Sequence, residues 1–215
     1  MLYAIMPVYR KPDVACMIEL VLASASPRRQ EILQDLGLDF SCRPQAIDES
    51  PHKGEKPLAL VRRLALEKAR SALASLRESD HSLVLGSDTI VVCENRILGK
   101  PADREDATGM LRLLSGRQHQ VITAVAVINR ERELLEQSVT RVSFRSLSEG
   151  EILAYWQTGE PRDKAGAYAI QGYGGMFISA IEGSYSGVVG LPVYETVNLL
   201  TQFGLDAEHL LKKHK

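Results

Sequence analysis

A chain of 215 residues with 45% apolar and 25% charged side chains is long enough to bury a core, as one domain or two closely packed lobes, and this composition excludes a disordered, fibrous or repeat protein. A formal net charge of −1 excludes general attachment to a nucleic acid backbone, which needs a basic excess, so any basic site must be local. Cys16, Cys42 and Cys93 show no CxxC spacing and support neither a zinc site nor a disulfide framework, which leaves reduced thiols in a cytoplasmic protein, and no run reaches the about 18 apolar residues of a membrane span.

Residues 1–16, MLYAIMPVYRKPDVAC, set an apolar patch ahead of a basic pair, the reverse of a secretory signal. They are expected to be a weakly ordered extension, with 17–215 forming the single folded domain. Residues 18–23, IELVLA, read as a buried strand, and Ser26-Pro27 then has the N-cap and first-turn pattern of a helix that ends at Gly37. A short strand over 40–43 precedes a polar loop carrying Asp48 and Glu49. Pro57 opens a long helix to about residue 76, with Leu58, Val61, Leu64, Ala65, Lys68, Ala69 and Ala72 at helical spacing, which places Lys68 on or beside the apolar stripe.

The segment 83–93, LVLGSDTIVVC, reads as a strand interrupted by Gly-Ser-Asp-Thr, where the backbone must come close to something. Glu94-Asn95 turns the chain into 96–98, and Asp103 caps a helix ending near Ser115-Gly116. Residues 119–128 and 134–144 form an antiparallel hairpin across the charged turn NRERE. Ser148 and Glu151 make a capping box for a helix to about Gln157. A glycine-rich stretch reads as turns, and Pro192 opens an amphipathic helix to Phe203. Strands that alternate with helices before a hairpin enters predict an α/β sheet of mixed direction with helices on both faces.

Arg28 and Arg29 stand at a helix start, where the peptide dipoles already concentrate positive charge. Either they are solvated side chains of little energetic worth, or a polyanion sits there, since a helix N-terminus with guanidinium forks makes a phosphate site. Ser24 and Ser26 beside them favour phosphate. Lys100 and Lys164 lie in comparable loops, and Asp48, Glu49, Asp88 and Asp163 near similar breaks. A cleft collecting cations and a few carboxylates suits a nucleoside triphosphate with magnesium. Lys68 alone reads as a snorkelling side chain, whereas Asp88 between apolar runs is costly to bury without a partner, a capping duty or a task. His119 reads as a strand-end histidine and Trp156 as packing.

Taken in order, LASASPRR (22–29), LEKA (66–69), GSDTIV (86–91), GKP (99–101), LSGRQHQVITAVAV (114–127), DKAGAYAIQG (163–172) and GSYSGVVGLP (183–192) resemble the Maf family of nucleotide pyrophosphatases over about 17–203. The resemblance implies a Maf/Ham1-like α/β fold: an elongated mixed sheet flanked by helices on both faces, with two lobes around a nucleotide-binding cleft. It implies hydrolysis of nucleoside triphosphates to the monophosphate and pyrophosphate with a divalent cation, Mg2+, Mn2+ or Co2+. Ser24, Arg28, Arg29, Lys68 and Lys100 match the family's phosphate-handling positions, and Asp88 its proton acceptor; Lys164 joins them as a substrate-binding candidate. Glu49 and Asp88 are the expected metal ligands.

Arg28, Thr89 and Gln171 match the branch acting on dTTP and UTP, and Gln171 is expected to read a pyrimidine edge. Modified pyrimidine nucleotides belong to the same expectation. The rival readings are a pyrophosphatase for deaminated purines, ITP or XTP, and a nucleotide-binding regulator of septum formation. Neither a membrane nor nucleic acid is an expected main partner. A homodimer is expected by analogy with family members.

Overall fold

The computed structural model describes residues 19–77 and 81–212, and the expected extension at 1–16 lies outside the described residues. After strand β1 (Glu19–Leu22), helix α1 (Pro27–Asp35) starts on a proline whose fixed φ suits the first helical position. It stops in a Schellman turn: Gly37 at φ 69° donates to the Gln34 carbonyl at 2.8 Å and Leu38 to the Leu33 carbonyl at 3.1 Å. Ser26 takes the N-cap position, but its hydroxyl caps nothing; its amide instead donates to Ser24 Oγ at 3.1 Å.

The chain continues through β2 (Phe40–Cys42), α2 (Pro57–Ala74), β3 (Ser82–Cys93) and β4 (Arg96–Leu98). Glu94 and Asn95, both at positive φ, make the two-residue turn between the last two strands. Helix α3 (Arg104–Leu114) is capped by the Asp103 carboxylate, which accepts the Asp106 amide at 2.9 Å. The hairpin β5 (Gln118–Ile128) and β6 (Glu133–Phe144) follows, then α4 (Glu149–Gln157) on the expected Ser148–Glu151 capping box. The glycine-rich stretch holds short 3-10 turns, strand β7 (Ile178–Glu182) and helix α5 (Tyr185–Val189), ahead of α6 (Val193–Gln202) and α7 (Ala207–Lys212).

The strands form one sheet in the order β2-β1-β3-β5-β6-β7, with β4 also on β3. β1 runs parallel to β2 and β3, and every other pairing is antiparallel. This is the mixed α/β sheet anticipated from the alternation of elements. One face is covered by α2, through Val61, Ala65 and Ala69 against Val84 and Ala126. The other face carries two separate cores: Leu33, Leu85 and Leu199 beneath α1 and α6, and Leu111, Phe144 and Ile152 beneath α3 and α4.

β3 is unbroken from Ser82 to Cys93, so the expected interruption at Gly-Ser-Asp-Thr is not a break in the strand. The break lies in its partners. On one edge β3 pairs with β1 as far as Leu85–Leu22 and resumes with β4 only at Val91–Leu98, while on the other edge it pairs with β5 continuously from Val84 to Val92. Residues 86–90 therefore border a gap in the sheet. The close approach does exist: a Cβ on Gly86 would collide with the Ala65 carbonyl and stand 2.8 Å from the Ala69 amide. A glycine under an alanine-lined stretch of α2 thus lets that helix lie against the strand beside the gap. Leu58, placed on the buried stripe from spacing, is exposed, and Leu60 is buried instead.

Candidate functional site

The gap opens into a cleft of about 720 Å³, and every residue singled out from the sequence as a phosphate, base or metal contact lines it. Side chains alternate across a strand, so Gly86 and Asp88 face α2 while Ser87 and Thr89 face α1 and the α5 segment. The two faces of β3 therefore bring different chemistry to one opening.

On the α2 face, Lys68 Nζ sits 2.6 Å from Asp88 Oδ1 and 2.6 Å from Glu49 Oε1. Lys68 and Asp88 are buried, and Glu49 reaches in from the exposed loop. The helical spacing that put Lys68 on the apolar stripe is what aims it at β3, so its charge is not carried out to solvent. Burial pushes the Asp88 carboxyl above the usual range, against the pull of Lys68 and Arg29. Burial acts the same way on Glu49, but the Lys68 hydrogen bond and the charges of Lys68, Lys100 and Arg29 together hold it below its ordinary value. Two neighbouring carboxylates thus differ in proton affinity, an arrangement suited to one acting as a base.

On the opposite face, Arg29 Nε donates to the Gly190 carbonyl at 2.9 Å, its Nη1 to Ser24 Oγ at 3.1 Å and its Nη2 to Thr89 Oγ1 at 3.4 Å. Thr89 Oγ1 lies 2.9 Å from Thr123 Oγ1, which donates to the Gly187 carbonyl at 2.7 Å. A hydroxyl has one proton, so Thr123, having given its own to Gly187, must accept from Thr89. Thr89 then presents only lone pairs to Arg29. The result is a directed chain from Arg29 through Thr89 and Thr123 to the α5 backbone, and Ser87 Oγ adds a second bond to Gly190 at 3.1 Å. Three of the five N–H groups of Arg29 are engaged by protein, which fixes the plane of its guanidinium and leaves two for a ligand.

The remaining positions ring the opening. Arg28 Nη1 stands 3.5 Å from Asp163 Oδ2, and Lys164 Nζ pairs with the other Asp163 oxygen. That carboxylate is thus occupied by two cations. Lys100 is exposed at the rim, and Gln171 lies exposed on a turn that lines the same cleft. Asp48 turns instead to the Ser50 amide at 2.9 Å. His119 is no ligand: it is buried against Phe144 and Tyr168, with Nε2 2.8 Å from the Tyr168 hydroxyl, and burial pulls its pKa to about 4.

Sequence reasoning missed Ser87 and Thr123, because a hydroxyl in an apolar strand reads as ordinary strand propensity. Their signal was positional: Ser87 and Thr89 alternate on one face of β3, and Thr123 is the residue opposite Thr89 on β5.

Among the described residues no group of three or more His, Cys, Asp or Glu side chains is placed to cage a metal ion by itself. Glu49 and Asp88 both converge on Lys68 Nζ, and carboxylates brought together in this way are of the hard-oxygen type that suits a divalent cation taking its other oxygens from a phosphate ligand. No helix among the described residues is long and apolar enough to cross a membrane.

Residues 19–203 match the family described as Maf-like protein. The dTTP/UTP pyrophosphatase of Vibrio parahaemolyticus is 52% identical over 186 residues, covering 86% of this chain and 97% of that protein. That of Shewanella oneidensis is 52% identical over 193 residues, covering 87% of this chain and 100% of the relative. Among solved structures, the Staphylococcus aureus Ham1 protein is similar with a TM-score of 0.48 at 14% identity, covering 86% of this chain and 97% of that one.

Proposed function

The chain belongs to the Maf family, and from that premise we propose that it hydrolyses dTTP and UTP to the monophosphate and pyrophosphate, clearing the cytoplasmic nucleotide pool. The observation that carries the reading is the Asp88–Lys68–Glu49 cluster, with Lys68 and Asp88 buried, in a cleft that Arg28, Arg29, Lys100 and Lys164 also line. Arg28 and Lys164 share the one carboxylate of Asp163, and a triphosphate would supply further negative charge to this set of cations.

Arg28, Lys100 and Lys164 neutralise phosphate oxygens at the rim, and Arg29, held flat by Ser24, Thr89 and Gly190, offers its two free N–H groups. Asp88, with its raised proton affinity, orients the attacking water and takes its proton as the water oxygen bonds to phosphorus at the α–β anhydride. Pyrophosphate leaves carrying the bridging oxygen and its electron pair, and Lys68 and Lys100 stabilise the charge that collects there. Glu49 and Asp88 would hold the divalent cation, Mg2+, Mn2+ or Co2+, which supplies further neutralisation of phosphate charge. Gln171 presents an amide, donor and acceptor together, to the N–H and carbonyl edge of a uracil-type ring.

The test is pyrophosphate release measured across dTTP, UTP, CTP, ITP and XTP, with and without EDTA. Hydrolysis of dTTP and UTP that EDTA abolishes is the expected result. Preference for ITP or XTP would replace the pyrimidine reading, and absence of release from any nucleotide would leave a binding protein.

A further inference from the structure

The run Gly172-Tyr173-Gly174-Gly175 follows Gln171 directly, and nothing in the phosphate chemistry uses it. Its neighbours explain the glycines. The Glu160 carboxylate reaches under the loop: Oε1 accepts the Gly174 amide at 3.0 Å and the Tyr155 hydroxyl at 2.6 Å, and Oε2 accepts the Tyr173 amide at 3.0 Å. The Tyr155 hydroxyl in turn accepts the Ala169 amide at 3.1 Å. A Cβ on Gly172 would collide with Glu160, and one on Gly174 would stand 2.7 Å from the Tyr155 hydroxyl and 2.8 Å from the Ala169 carbonyl. The glycines therefore cradle a carboxylate and a phenol of the protein itself, not a phosphate.

Gln171 lies midway between the two anchor points, two residues from Ala169 and two from Tyr173, and both anchors are gripped by the same pair of side chains. Tyr155 is buried, packed edge-on against Phe177 at 4.9 Å, so the grip is fixed to the core under α4. Neither Glu160 nor Tyr155 lines the cleft. Among the described residues the Gln171 side chain has no hydrogen-bond partner.

We propose that Glu160 and Tyr155 are positioning residues for base selection: they hold the 169–174 loop so that Gln171 meets the pyrimidine edge in one register. The inference rests on Gln171 being the base reader. A carboxylate is required because three donors converge on its two oxygens; an amide of the same shape would turn an NH2 group against at least one N–H or O–H. Loss of register penalises the base that Gln171 recognises and spares interactions with the triphosphate common to all nucleotides.

The experiment measures kcat and KM for dTTP, UTP and CTP in the full chain carrying Glu160→Gln, Tyr155→Phe, Gln171→Ala and the Glu160→Gln/Gln171→Ala pair. Glu160→Gln is expected to lower kcat/KM for dTTP and UTP by about tenfold, mainly through KM, with CTP changed by less than about twofold, and Tyr155→Phe to give a smaller change of the same kind. The double variant should lose no more discrimination than Gln171→Ala, since two residues acting through one contact are not additive. Equal losses for all three nucleotides, or multiplied losses in the double variant, would overturn the positioning role. If Gln171→Ala itself leaves the ratio of UTP to CTP unchanged, the base-reader assignment fails instead. Should Glu160→Gln unfold, as read by its melting transition, Tyr155→Phe decides alone, because it keeps the buried ring and removes only the hydroxyl.

Discussion

The two faces of β3 reach one cleft with opposite electrostatic designs. Toward α2 the site is ionic: one ammonium between two carboxylates, two of the three groups buried. Toward α1 and α5 it is built almost wholly from hydroxyls and carbonyls, with Arg29 as the cation that heads the hydrogen-bonded series. The contrast separates chemistry from alignment. A charged cluster in low dielectric responds strongly to any added or removed charge, whereas a saturated hydroxyl chain resists change in direction and hardly responds to charge.

The contrast is broken most severely at Asp88. Asp88→Asn keeps the shape and is expected to lower pyrophosphate release from dTTP by about a thousandfold while the melting transition survives. Turnover near the parent value would remove the ionic face from the reaction. Thr123→Val cuts the opposite face at its centre, taking the donor from the Gly187 carbonyl and the acceptor from the Thr89 proton; stability should fall by about 1–3 kcal/mol in urea unfolding. Its activity should fall by about tenfold and alike for every nucleotide, since Arg29 loses its alignment while the base contacts remain. A loss confined to one base would mean that Thr89 touches the base.

A third change tests the strand that divides the faces. Gly86→Ala drives a methyl group into the α2 backbone, and an unfolding loss of about 1–3 kcal/mol is expected. No loss would mean that α2 can retreat from the gap without cost. The smallest effect belongs to His119→Gln. The folded pKa of His119, about 4, is below its ordinary 6.5, so its contribution to stability is complete above about pH 6.5 and is lost as pH falls through about 4. Unfolding midpoints measured from pH 7 to pH 4 should fall less steeply in the variant. An unchanged slope would mean that burial of the His119 imidazole is not what titrates.

Much of this architecture is legible in residue order, for local reasons. Pro27, Asp103 and the Ser148–Glu151 box mark helix starts because their partners lie within a few residues, and Glu94-Asn95 marks a turn by backbone preference alone. The cleft residues were found through the resemblance and the oddity of Asp88 within an apolar run. Long-range matters stayed hidden. Gly-Ser-Asp-Thr read as a broken strand because nothing local tells that β1 and β4 share one edge of β3 end to end. β7, five residues at the sheet margin and mostly exposed, shows no apolar alternation to separate it from the glycines around it. The Arg29–Thr89–Thr123 chain joins residues 60 and 34 positions apart, and a threonine in a strand does not announce its partner.

The divided edge of β3 also has a mechanical side. β3, β5 and β6 run 12, 11 and 12 residues, about 40 Å each at strand rise, and β3 and β5 pass uninterrupted beneath both the core under α1 and α6 and the core under α3 and α4. The β3–β5 ladder, continuous from Val84 to Val92, ties the parts on either side of the gap together. The opening is thus a notch in one edge of a strand whose other edge is continuously paired. A ligand enters beside that ladder, and the rim loops, such as 169–174, stand outside it.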